Sequence, residues 1–278
     1  MSINLTILIE NYAPVSLGLY AEHGLSILIE YNDKKYLFDT GQSGNALYNA
    51  FELKKEVKDI HSIILSHGHY DHAGGLLQFL KYLNKPTKIF LHSKAFEKKY
   101  VINSEFGEKY IGLLQSVDYL KSNYHANFTF LKEFDKIDQG IYSISTVPMT
   151  SGFEKIPEVL KVKRDGKFIN DDFEDDLSLV LDSDKGLVIL LGCAHRGMIN
   201  ICNEVKKRLN KNIYAVIGGT HTKGADDKIL THISEYLLEN NVKIFAPNHC
   251  TGFDKIAYFK NKLPEIYRDA FCGNEIIL

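Results

Sequence analysis

The segment that most limits what this chain can fold into is His67-Gly68-His69-Tyr70-Asp71-His72, three histidines and an aspartate within six residues. Residues 60–66, rich in β-branched and leucine side chains, read as a buried strand leading into it. A helix-forming run over about 73–83 follows, ending before Pro86. At a strand-to-helix turn, His67 and His69 point the same way, because side chains on extended backbone alternate. Asp71 and His72 come where the chain bends and face a second position. Imidazole nitrogen and carboxylate oxygen suit zinc, iron or manganese. The pattern predicts two metal ions, about 3.5–4 Å apart, sharing a water whose pKa falls toward neutrality.

The rest of the chain surrounds this turn with alternating elements. Residues 3–10, 25–31 and 36–39 read as strands, with Asn32-Asp33 as a hairpin turn. Helix is expected over 45–53 and strand over 88–92. Residues 93–123, rich in Lys, Glu and Tyr, read as a mainly helical insertion whose Tyr100, Tyr110 and Tyr119 cover the site. Strands return at 128–131 and 141–147, and the charged stretch 161–176 reads as loop. Residues 177–182 and 187–191 form a hairpin. Then helix and strand alternate: helix 198–209, strand 213–217, helix 228–239, strand 243–246 and helix 254–261. The runs at 94–99 and 206–208 read as solvated helix faces.

With 33 basic and 35 acidic residues the formal net charge is −2, which gives no footprint for nucleic acid or an anionic membrane. No apolar run is long enough to span a bilayer. Four scattered cysteines without a C-x-x-C pair, and no secretory leader pattern, predict a reduced, cytoplasmic protein.

Ser66-His67-Gly68-His69-Tyr70-Asp71-His72-Ala73-Gly74-Gly75, with Leu37-Phe38-Asp39-Thr40-Gly41 upstream, closely resembles the signature of the metallo-β-lactamase superfamily. The resemblance covers essentially the whole chain. It implies one α/β domain over 1–278, a four-layered αββα sandwich with the metal site at one edge. A narrower resemblance lies in Glu22-His23-Gly24-Leu25-Ser26, Gly192-Cys193-Ala194-His195-Arg196-Gly197, Gly218-Gly219-Thr220-His221 and Asn248-His249-Cys250-Thr251-Gly252. These look like a branch named for 7,8-dihydropterin-6-yl-methyl-4-(β-D-ribofuranosyl)aminobenzene 5'-phosphate synthase.

By the resemblance, His249 matches the last metal-binding histidine. The T-P-G-H-like histidine of the superfamily is missing from Val147-Pro148-Met149-Thr150-Ser151-Gly152-Phe153, and His195 stands in for it. Cys193 sits where a strand-end aspartate often bridges the metals, and is either a ligand or a buried apolar residue. The expected metal ligands are therefore His67, His69, Asp71, His72, Cys193, His195 and His249. Asp71 is also the expected proton acceptor. His221, at a strand end after two glycines, is expected to bind a substrate phosphate or protonate the leaving side. Asp39 orients a ligand imidazole or closes its own turn. His23 and His92 reach the pocket or pack structurally, while His61, His125 and His232 pack or face solvent. The turn at 41–44 opens a helix and is a weak candidate for a phosphate.

These residues predict hydrolysis of a small ester or phosphoester, with two divalent ions, zinc first and manganese or iron as alternatives. Three other readings stay open: a condensing synthase acting on a phosphorylated, pterin-like substrate, a di-iron redox protein, and a binding protein without catalysis.

Overall fold

The computed structural model describes residues 2–105 and 107–278, which form two compact units. The first unit comprises Ser2–Leu131, Ile156–Asp175 and Phe271–Leu278, the second Lys132–Lys155 and Asp176–Ala270. The first stretch carries strands β1 (Ile3–Ile9), β2 (Ser26–Tyr31), β3 (Lys34–Phe38), β4 (Ser62–Ile64), β5 (Thr87–His92), β6 (Lys98–Asn103), β7 (Gly107–Tyr110) and β8 (Ala126–Leu131). Helices α1 (Asn45–Glu52), α2 (Tyr70–Ala73), α3 (Leu76–Leu83) and α4 (Val117–Tyr124) lie between them. β9 (Phe134–Asp138) and β10 (Ile141–Ile144) open the second unit, and the chain returns to the first for β11 (Leu160–Arg164) and β12 (Lys167–Asn170). The second unit resumes with β13 (Ser178–Ser183), β14 (Gly186–Leu191), α5 (Met198–Leu209), β15 (Ile213–Gly219), α6 (Asp227–Glu239), β16 (Ile244–Asn248) and α7 (Phe253–Lys262). β17 (Glu275–Ile277) rejoins the first.

In the first unit, a seven-stranded sheet runs β17-β1-β2-β3-β4-β5-β8. Its β17 half is antiparallel and its β8 half parallel. The second unit's six-stranded sheet, β16-β15-β14-β13-β10-β9, is parallel from β14 to β16 and antiparallel beyond. In both, the histidine-bearing turns leave the carboxyl ends of parallel strands, where open α/β sheets place their ligands.

Local sequence accounts for much of this. Asn32 and Asp33 take φ of 51° and 58°, so the β2–β3 hairpin turns with the twist that two left-handed residues allow. α3 buries Leu76, Phe79, Leu80 and Leu83, one helical stripe, and ends at Asn84 in a left-handed cap. α6 begins where the Asp226 side chain accepts the Ile229 amide at 3.0 Å.

Two expectations fail. Residues 93–123 are not mainly helical: a short 3₁₀ turn is followed by the β6–β7 hairpin, and among the described residues α4 is the one α-helix there. Tyr100, Val101 and Ile102 are strand formers, and their lysine neighbours do not outweigh that preference. The stretch at 161–176 is not loop throughout either. β11 and β12 pair antiparallel around Asp165-Gly166, with φ of 49° and 79°, and join β6 and β7 in a four-stranded sheet. Lys99 is consequently no solvated helix residue. It is 1% exposed on β6.

Candidate metal centre

In the first unit, His67 and His69 are buried in the turn between β4 and α2, and Asp71 and His72 are buried in α2 itself. His67 Nε2 and His69 Nδ1 stand 3.0 Å apart. Two nitrogen ligands on one tetrahedral zinc ion would be separated by about 3.3 Å. Burial depresses both imidazoles, His67 well below its ordinary range and His69 to about 3, so both are neutral and keep their lone pairs at neutral pH. This donor chemistry fits a divalent cation.

The Nδ1 sides of His67 and His72 are engaged. Ser66 Oγ lies 2.9 Å from His67 Nδ1, and Asp39 Oδ2 lies 2.7 Å from His72 Nδ1. Asp39 also accepts the Ser66 amide and hydroxyl, both at 2.7 Å, so the expected orienting contact is present. It occupies a left-handed conformation, φ 59°, at the end of β3. The Thr40 amide next to it donates to the His72 carbonyl at 2.7 Å. His23, half exposed, places Nε2 3.2 Å from Asp71 Oδ2.

Gly68 is required by space. A Cβ there would lie 1.9 Å from the Ala95 carbonyl oxygen. The Gly68 amide donates to Asp175 Oδ2 at 3.0 Å. Lys99 Nζ reaches Asp171 Oδ2 at 2.7 Å and Asp175 Oδ1 at 2.9 Å. Sequence reasoning missed this buried group. A lysine is buried only when paired, and its partners stand more than seventy residues away with nothing local to mark them.

In the second unit, three neighbouring parallel strands each end in a left-handed, non-glycine residue. Ala194 follows β14, His221 follows β15 and His249 follows β16, with φ of 53°, 52° and 50°. Such backbone persists where surrounding structure holds it, and it clusters at functional sites. Gly218 makes the crowding possible, since a Cβ there would lie 2.1 Å from the Leu191 carbonyl oxygen. The His195 and His221 rings lie with centroids 4.3 Å apart, tilted at 52° to each other. Donor atoms of Cys193, His221 and Cys250 lie within 4.8 Å of one another. The His221 amide donates to Cys250 Sγ at 3.3 Å. Burial pushes the Cys250 thiol up. Hydrogen bonds with Cys193 and His221 and the charge of His249 outweigh it, holding the thiol well below its usual range. Cys250, expected only to pack, thus joins the donors. Its adjacency to His249 was the available signal.

The segment lacking the T-P-G-H-like histidine has a structural task. Asn200 Oδ1 accepts the Thr150 and Ser151 amides at 2.9 and 2.8 Å. Glu154 accepts the Ile199 and Asn200 amides at 3.0 and 3.1 Å, binding the segment to the start of α5. Burial raises the Glu154 carboxyl, more than these amides lower it. A carboxyl raised on folding adds stability below its unfolded pKa of about 4.3, and that contribution is lost as pH rises through the folded value. Glu154→Gln is therefore expected to gain thermal stability relative to wild type between pH 4 and 7. A difference that stays flat or moves the other way would refute the assignment.

Other expectations resolve individually. His92 Nδ1 accepts the Lys94 amide at 3.3 Å, a local cap. His61 packs edge-on to Tyr36, His125 ends α4, and His232 lies beside Phe153. Most amides of the turn at 41–44 are already engaged, Gly41 with the Leu25 carbonyl. The Gln42 and Ser43 amides donate to Glu22 Oε1 at 3.0 and 3.2 Å. Tyr100 and Tyr110 pair across β6 and β7, and Tyr119 is exposed on α4. No helix of the described residues is long and apolar enough to cross a membrane.

The fold and the cluster of candidate metal donors point to a superfamily whose members generally bind divalent metals. Residues 19–196 match the family model of the metallo-β-lactamase superfamily. The chain belongs to that superfamily and has its fold. A solved structure described as Tm1679, a metal-dependent hydrolase of the β-lactamase superfamily, superposes with a TM-score of 0.84 at 29% identity, covering 99% of this chain and 98% of that one. An uncharacterised protein of Methanocaldococcus jannaschii is 37% identical over 235 residues, 84% of this chain and 86% of its own. The 7,8-dihydropterin-6-methyl-4-(β-D-ribofuranosyl)-aminobenzene-5'-phosphate synthase of the same organism is 31% identical over 288 residues, 99% of this chain and 96% of its own.

Proposed function

We propose that this chain is a metal-dependent hydrolase acting on a small ester or phosphoester. Its two divalent ions, zinc first with manganese or iron as alternatives, are held by His67, His69, Asp71, His72, Cys193, His195 and His249. The observation that carries this reading is the pair of buried, neutral imidazoles at His67 and His69, whose facing nitrogens stand 3.0 Å apart. Two such ions supply a water ionised near neutral pH and a Lewis acid for the substrate oxygen. With the ions bound, Asp71 would take up a proton from an attacking water, and the half-exposed His23, 3.2 Å away, would carry it toward solvent. Asp39 holds His72 in one tautomer through Nδ1, which leaves Nε2 for the metal. His221 protonates the leaving side. We read the chain as one cytoplasmic domain.

The 31% identity to the M. jannaschii synthase over 99% of this chain supports a second reading. In it, the same residues assist departure of diphosphate as a dihydropterin is joined to a ribofuranosylaminobenzene phosphate.

Elemental analysis of the native protein beside His67→Ala and His195→Ala is the first test. About two ions per chain, with one lost in each variant, is the expected result. No metal after reconstitution would sink both readings, and a His195→Ala protein that keeps both ions would remove His195 from the set. The metal-loaded protein is then given ester and phosphoester panels and, separately, the two condensation partners. Turnover of a single substrate with water supports the hydrolase. Diphosphate release that requires both partners supports the synthase. Metal without turnover in either assay leaves a binding role.

A further inference from the structure

The buried charges beside the histidine turn are arranged in a way that packing alone does not call for. Lys99, Asp171 and Asp175 are each 3% exposed or less. One ammonium faces two carboxylates, so this buried group carries an excess of negative charge when all three are ionised. Burying charge is costly, and well-packed apolar residues in place of such groups are often at least as stable. A group like this therefore suggests a purpose beyond stability.

Its connections lead to the turn. Lys99 Nζ engages Asp175 through Oδ1 at 2.9 Å, which leaves Oδ2 to accept the Gly68 amide at 3.0 Å. Gly68 is the residue between His67 and His69. Phe173, between the two aspartates in sequence, stands edge-on to His69 with centroids 5.4 Å apart, and the Lys99 ammonium lies 4.8 Å from its ring centre. The Phe173 amide donates to Asp171 Oδ1 at 2.9 Å. One backbone bond and one ring contact thus fix the peptide and the imidazole that set the His67–His69 separation.

We propose that Asp175, held in place by Lys99, is a positioning residue for the metal-ligating turn, while Asp171 serves to neutralise and anchor Lys99. Asp175 sets the Gly68 peptide so that the two imidazoles converge. Its carboxylate adds a negative charge to surroundings that must accept a dication. The proposal rests on the reading of His67 and His69 as metal ligands.

The two aspartates supply a matched comparison, since both bond Lys99 and only Asp175 bonds Gly68. Metal affinity is measured by competition of zinc or cobalt against a coloured chelator, and the stability of the metal-free protein by thermal unfolding, for wild type, Asp175→Asn and Asp171→Asn. Asp175→Asn is expected to weaken the tighter ion by about 10- to 100-fold, the usual range for a residue orienting a ligand. Asp171→Asn is expected to lower the thermal midpoint at least as much while leaving affinity within a few-fold of wild type. Should Asp175→Asn fail to fold, Asp175→Glu keeps the charge for Lys99 but displaces the oxygen at Gly68, and the same loss of affinity is expected. Equal affinity losses in the Asp171 and Asp175 variants, or none in either, overturn the proposal while the wild type still binds metal. A wild type that takes up no metal overturns both the proposal and the reading beneath it.

Discussion

Asp39→Ala is expected to cost about 3–5 kcal/mol of folding stability, the range for removing one partner from a buried charged network, and to weaken metal binding by about 10- to 100-fold. The carboxylate is fully buried and accepts from the Ser66 amide, the Ser66 hydroxyl and His72 Nδ1, each at 2.7 Å. Alanine leaves those groups without their acceptor in a place water does not reach, and each such group costs about 1–3 kcal/mol. It must also adopt φ near 59° without a side chain able to bond locally. Asp39→Asn separates the two effects. Its carbonyl can still accept from Ser66, but it carries no charge to support His72. Denaturant unfolding of the metal-free proteins and chelator competition of the loaded ones measure the two losses independently. An Asp39→Ala protein as stable as wild type would show that the contacts around Asp39 contribute nothing net.

Gly68→Ala is expected to be the most damaging one-carbon change in the histidine turn. Its Cβ would lie 1.9, 2.6 and 2.9 Å from the carbonyl oxygen, carbonyl carbon and Cα of Ala95. All three are backbone-associated atoms of a 3₁₀ turn that follows β5, so relief requires the chain itself to shift. A shift of even part of an ångström at residue 68 separates His67 from His69 and stretches the 3.0 Å bond to Asp175. The expected result is loss of the tighter metal ion and destabilisation of several kcal/mol, as strained, overpacked sites show. An alanine variant that folds and binds metal normally would show that the turn tolerates a Cβ at residue 68.

Much of this architecture was legible because its signals are short in range. The Asn32-Asp33 hairpin, the α3 stripe and the H-x-H-x-D-H turn each sit within a dozen residues. The β11–β12 hairpin also carries a local signal, Asp165-Gly166, but the charged segment around it reads as loop. Lys99 reads as solvated for a different reason. Nothing within ten residues marks it as paired, because Asp171 and Asp175 arrive only when β11 and β12 pair beside β6. Cys193 and His221 each stand out at a strand end, while Cys250 reads as a packing residue beside His249. Their convergence depends on the order β14-β15-β16, which no single segment encodes.

The pairing of β17 with β1 sets a schedule for making this protein. Thr6 stands opposite Glu275, and Cys272 accepts the Glu10 amide at 3.1 Å. On the ribosome, at about 5–20 residues per second, the first strand emerges many seconds before its outer neighbour. Until then the edge of β1 is open to any extended chain nearby. Cells making the protein at high rate would therefore gain yield from slower translation or a chaperone that shields that edge. Transplanting residues 271–278 ahead of β1 through a short linker, as a circular permutation does, would let the sheet close early and relieve that dependence.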